Sequence, residues 1–215
     1  MLNILDWSLK LNGYPLENAR AYFSSIIAVS EKEFEAFTNQ KREEIVCYHL
    51  SNNIFYQNLV KTKNNDFSIE NWNDLPVLTK TDFQKPLSER LSFDYNIKNV
   101  YINRTSGSSG DPFDFAKDKF CHALVWSSIY HRFGWYGLDL NKAYQARFYG
   151  YPLEFLNKYK VKLKDFLSNR YRLPIFDLSD DALKGFVATF KSKKFHYING
   201  YTSSIVMMAK YLEKE

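Results

Sequence analysis

Apolar residues follow two different rhythms along this chain. From Ser30 to about Val60 there is no glycine or proline, and Phe34, Phe37, Ile45, Tyr48, Phe55 and Leu59 supply apolar positions. That pattern predicts helix, broken at Asn52-Asn53. Ser30 and Glu33 have the spacing of a capping box, and Glu31, Glu33 and Glu35 suit the positive end of the helix dipole. Lys61 to Asn73 is polar and reads as a loop, Leu75-Pro76-Val77-Leu78 as an apolar turn, and Thr79 to Asp82 as a cap leading into a short helix. Beyond residue 99 short apolar runs alternate with helical spacing. Strands are expected over 99–104 and 112–116. A helix is expected over 119–133, capped by Asp118, apolar on most faces and therefore buried. Another strand is expected within 142–149, a helix from Ser179 to about Phe190, a strand over 195–198, and a last helix with Ile205, Met208, Ala209 and Leu212 on one stripe. Strands alternating with helices predict an α/β architecture.

Composition narrows this picture only slightly. The 215 residues are 45% hydrophobic and 25% charged, ordinary for a globular protein, and suffice for one sizeable domain or two small ones. The 16 Tyr and 18 Phe are read as core material. The net charge of +5 comes from residues 151–215, which hold 12 Lys/Arg against 7 Asp/Glu. The basic stretches 158–164 and 191–194 read as solvated faces, so no nucleic-acid partner is expected. Cys47 and Cys121 are too few for a disulfide framework and are expected as small buried hydrophobes. No signal peptide or run of ~18 apolar residues is found, so the expectation is a cytoplasmic protein with no membrane span.

The chemistry concentrates in Thr105-Ser106-Gly107-Ser108-Ser109-Gly110-Asp111-Pro112. Four hydroxyls and two glycines fill six consecutive positions between two strand-like runs. Glycine allows sharp turns and close approach to a ligand, and backbone N–H groups with hydroxyls can surround phosphate oxygens. The run is not a Walker loop, because Gly110 is followed by Asp111 rather than lysine, and it lacks the G-x-G-x-x-G dinucleotide pattern. A solvent-exposed Gly/Ser hairpin turn is the plain alternative. Arg104 is a candidate phosphate contact that could equally be solvated at a strand end, and Lys80 is another, read first as a surface lysine just inside a short helix. His122, His131 and His196 are read as structural, since none has a carboxylate at a recognisable spacing.

Thr105–Pro112 resembles the phosphate-binding motif [ST]-S-G-[ST]-[ST]-G-x-P of adenylate-forming enzymes. Leu75-Pro76-Val77-Leu78-Thr79-Lys80-Thr81-Asp82-Phe83 is similar to the LP-x-x-x-K-x-D segment of the phenylacetate–coenzyme A ligase-like branch. Ile198-Asn199-Gly200-Tyr201-Thr202-Ser203-Ser204, followed by Ala209-Lys210-Tyr211-Leu212, resembles that branch's I-x-G-Y-P-S-x-L…L-A-x-Y-L segment, with Thr202 where proline is usual. Asn53-Ile54-Phe55-Tyr56 echoes its x-P-x-Y-R region. Within the branch the nearest flavour is that of capsular polysaccharide biosynthesis proteins.

The resemblance implies a helical N-terminal segment over 1–74, then the front half of an adenylate-forming domain over 75–215, a mixed sheet with flanking helices. It implies ATP and magnesium as cofactors and a small carboxylic acid as substrate. The acid attacks the α-phosphate to give an acyl-adenylate, which a thiol, amine or alcohol then consumes. Thr105, Ser106, Gly107, Ser108, Ser109, Gly110, Asp111 and Pro112 are the nucleotide-binding residues it implies. The family's later glutamate, aspartate and lysine motifs do not occur within these 215 residues. The expectation is therefore an N-terminal part of a carboxylate-activating ligase, inactive alone, with the rest of the polypeptide or a partner supplying what is missing. The other reading is a non-catalytic nucleotide- or partner-binding remnant.

Overall fold

A computed structural model describes residues 4–64, 74–105, 112–150 and 155–214. By its contacts the chain divides into two units, one of Asn12–Ser127 and one of Met1–Leu11 with Ser128–Glu215. Both helix and strand are present, so the chain is of mixed α/β type.

The first unit begins with α2 (Leu16–Ile27), α3 (Glu31–Asn52) and α4 (Ile54–Lys63); α1 (Ile4–Leu11) belongs to the other unit. The break at Asn53 is a cap. Its Oδ1 accepts the Tyr56 N–H at 2.9 Å, and its Nδ2 donates to the Arg90 carbonyl at 2.9 Å. The Ser30 capping box does not form. The Ser30 hydroxyl donates to the Glu33 carboxylate at 2.6 Å, so it caps no backbone group. Helix α3 buries Val46, while Phe34 and Ile45 are more than half exposed. Cys47, one step round the helix from Val46, is exposed, as is Cys121; neither is the buried hydrophobe expected.

The predicted Thr79 cap does appear. The Asp82 carboxylate accepts both the Thr79 N–H (2.6 Å) and the Thr79 hydroxyl (2.9 Å) at a 3-10 turn, Lys80–Phe83. One turn of helix, α5 (Leu87–Arg90), precedes the antiparallel pair β1 (Tyr101–Arg104) and β2 (Asp114–Lys117), in register Tyr101↔Lys117 through Arg104↔Asp114. Helix α6 (Lys119–Gly134) follows, its first turns counted with this unit. Its buried positions are His122, Ala123 and Ser127, whereas Val125 is 38% exposed. The large apolar side chains expected inside are thus not what fills its buried face.

The second unit is built on a parallel sheet of order β4–β3–β5: β3 (Gln145–Phe148), β4 (Arg170–Leu173) and β5 (Tyr197–Gly200). Helices α7 (Phe155–Leu167), α8 (Asp180–Ser192) and α9 (Thr202–Leu212) follow the strands in turn. Asn169, with φ of 51°, makes the left-handed turn between α7 and β4, a conformation that its short polar side chain tolerates. Strand residues alternate between faces. Ala146, Phe148 and Leu173 point to one face and form the core with Leu183, Phe186 and Met208 of α8 and α9. Gly200 has a steric reason: a Cβ there would lie 2.5 Å from Phe148 Cβ and 2.6 Å from its carbonyl oxygen. Strand β5 can approach β3 only without a side chain at that position. Of the expected last stripe, Met208 is buried and Ile205 packs on the core, while Leu212 stays 51% exposed.

Candidate functional site

The hydroxyl-rich run lies between β1 and β2. Ser106, Gly107, Ser108, Ser109, Gly110 and Asp111 lie outside the described residues; Thr105 and Pro112 form the described neck. The neck is closed twice. The Thr105 N–H donates to the Phe113 carbonyl at 3.0 Å, and the Phe113 N–H donates to Thr105 Oγ1 at 2.9 Å. The Thr105 hydroxyl has thereby used an acceptor position, and its proton is what it can offer an anion.

Arg104 does not stand open to a ligand. Its Nε and Nη2 donate to the two oxygens of Asp114 at 2.6 and 2.7 Å, a bidentate pair on the strand end. That hydrogen bond holds the Asp114 carboxyl below its usual range. Lys80 opens the 3-10 turn, but the lysine on Asp82 is Lys63, at 2.9 Å. Hydrogen bonds from Thr79 and Lys63 hold Asp82 below the usual carboxylate range.

Rings from two of the four segments that carry the resemblance lead to Phe113, the residue directly after the third. Phe55 lies 5.8 Å from Phe83, and Phe83 lies 6.0 Å from Phe113. The Arg90 guanidinium caps the Phe113 ring at 4.9 Å and donates to the Asp114 carbonyl at 2.6 Å. The first contact is tilted and the second edge-to-face, and with shared burial they support the base of the neck. The fourth segment, Ile198–Ser204, is in the other unit, where it forms β5 and the start of α9.

The histidines take structural places. His122 is buried, stacks on Tyr101 at 3.8 Å and accepts the Trp126 indole N–H at 3.2 Å; burial lowers its pKa and favours the neutral ring. His131 accepts the Trp135 indole N–H, and His196 Nδ1 accepts the Tyr144 N–H. Asp118 caps α6 by accepting the Cys121 N–H, and it also accepts the Tyr95 hydroxyl at 3.1 Å. Burial first, then the Asp118 charge, push the Tyr95 phenol up to about 12.

Among the described residues no group of three or more His, Cys, Asp or Glu is placed to hold a metal ion. No described helix is long and apolar enough to cross a membrane.

One concentration of charge escaped the sequence reading. Arg147 on β3 and Arg170 and Arg172 on β4 share the sheet face opposite the apolar core. No linear motif marks them, because strand register creates the cluster.

Comparison of the chain with protein-family models, curated proteins and solved structures finds no match.

Proposed function

We propose that this chain carries the triphosphate-binding portion of an ATP-dependent, carboxylate-activating ligase of the adenylate-forming type. The observation that supports it best is the ring series Phe55–Phe83–Phe113, which joins the loop neck to two other resembling segments. A plain Gly/Ser turn has no need of such a base. On this reading the Thr105 hydroxyl and the backbone N–H groups of the loop bind and orient the ATP phosphates. Bound magnesium would offset phosphate charge. Arg104 fixes the strand end through Asp114 and leaves phosphate contact to the loop itself. The acid partner is a small carboxylate.

Calorimetric titration with magnesium–ATP tests the reading. Saturable binding tighter than about 1 mM is expected, weakened at least about tenfold by the double change Gly107→Val, Gly110→Val. Absence of binding, or equal binding by the double variant, would overturn it.

A second reading, a non-catalytic remnant that binds a partner, is favoured by α7. Tyr159, Leu163 and Phe166 recur at helical spacing there and are 56%, 60% and 78% exposed. Acid-dependent ATP–pyrophosphate exchange by this chain would dismiss that reading.

A further inference from the structure

We propose a second anion-binding site, for a carboxylate or phosphate group, where the parallel sheet presents Arg147 and Arg172 beside Tyr149 and Asn199. The proposal stands apart from the reading of the hydroxyl-rich loop, since every residue it uses lies in the other unit.

The topology comes first. Strand β3 lies between β4 and β5. After β3 the chain enters α7, whose Asp165 bonds to Arg172 on the polar face. After β5 it enters α9, whose Met208 belongs to the core on the apolar face. Neighbouring strands whose connections leave to opposite faces define a switch point, and ligands of open α/β sheets bind beyond the strand carboxyl ends at such points. The residues following the β3 and β5 ends are in contact: the Tyr149 ring lies 5.2 Å from that of Tyr201, and its hydroxyl is 3.3 Å from Asn199 Oδ1.

Charge comes second. The register sets Arg147 beside both Arg172 and Asn199, and sets Gln145 beside Arg170. Asp165 is the carboxylate paired to this cluster among the described residues, and it is spent on Arg172, with side chains only 7% and 11% exposed. Arg172 also donates to the Gly150 carbonyl at 2.9 Å. Arg147 stacks on Tyr149 at 4.3 Å, and Arg172 approaches the same ring at 6.0 Å. Burial first, then Arg170 and Arg172, lower the Arg147 pKa, and Tyr149 and Asp165 offset this only in part.

Two polar atoms are left over. Arg147 Nε is shut from solvent and has no hydrogen-bond partner, and the same holds for Gln145 Oε1 on a residue only 5% exposed. An unmatched buried donor on a guanidinium is costly, and an unexplained one points to a missing partner. A carboxylate or phosphate meets the guanidinium fork with two parallel bonds and supplies the missing negative charge. A phosphate that keeps one O–H would in addition match Gln145 Oε1.

The test follows the arginine Nε–H signals of the full 215-residue chain by NMR. Inorganic phosphate and, separately, benzoate are titrated in at ionic strength held constant with sodium chloride. The Arg147 Nε–H signal is expected to move saturably with at least one probe. Arg147→Gln should weaken the affinity, read from the Arg172 Nε–H signal, by at least about tenfold, with partial recovery in Arg147→Lys. The double change Lys160→Gln, Lys162→Gln on α7 should alter it less than about twofold. Response to phosphate alone assigns a phosphate ligand, to benzoate alone a carboxylate, and to both the shared chemistry. An Arg147 signal that stays still, as when water fills the site, or drifts without saturating, would overturn the proposal. So would affinity unchanged in Arg147→Gln.

Discussion

The antiparallel hairpin and the parallel sheet handle arginine in opposite ways. At the hairpin, Arg104 meets the Asp114 carboxylate as a bidentate pair at the surface, with Arg90 on the Asp114 carbonyl. On the sheet, Arg147, Arg170 and Arg172 share one face, and among the described residues the carboxylate paired there is Asp165. A closed surface pair is structural trim that salt screens. An inner cluster with that excess of arginine among the described residues is what the proposed anion would balance. The contrast teaches that the exposed cation next to a suggestive loop is the weaker candidate. The stronger one is the half-buried arginine with no motif around it.

The largest effects should appear where the sheet unit keeps its core. Phe148 is fully buried against Phe186 and Phe190, so Phe148→Ala should cost about 3–5 kcal/mol in urea unfolding. Next comes the inner pair. Asp165→Asn removes the carboxylate that holds buried Arg172 by two hydrogen bonds and should cost about 3 kcal/mol. Gly200→Ala pushes a methyl into the Phe148 backbone and should cost about 1–3 kcal/mol. At the hairpin, Asp114→Asn should barely move the midpoint, and that small effect should vanish in 1 M salt, whereas the Asp165→Asn effect should persist. Equal salt sensitivity at the two sites would break the comparison.

The smallest effect is a titration. Because the folded Tyr95 pKa of about 12 exceeds the unfolded value near 10, its contribution is complete below pH ~10 and is lost as pH rises toward 12. Phenolate absorbance should show a late step beyond the tyrosines that burial raises less, Tyr14, Tyr56 and Tyr197, and Tyr95→Phe should remove that step.

Sequence made the hairpin legible and left the sheet cluster hidden, for the same physical reason. A Gly/Ser run between Val100–Ile102 and Phe113–Phe115 signals a turn through neighbouring residues alone. Helix α8 was legible too, because Ser179 and two aspartates mark its start. Helix α7 and strand β4 were not. Lysines spaced through Lys158–Lys164 mask the apolar stripe of α7, and Arg170-Tyr171-Arg172-Leu173 reads as polar until Asp165 is found beside Arg172. Helix α6 misled in the other direction. Its buried face is made by His122, Ala123 and Ser127, small or polar residues that periodicity of large side chains passes over. The ring contacts from Phe55 to Phe113 span 58 positions and depend on tertiary packing, so no local pattern announces them.

The most direct measurement of the central claim reads the backbone amides of Thr105 and Phe113 while magnesium tripolyphosphate is added at constant ionic strength. A phosphate-holding loop predicts saturable shifts at both amides below about 1 mM, whatever Arg147 does. Amides that stay still while Arg147 Nε–H responds would leave the sheet site standing and contradict the loop.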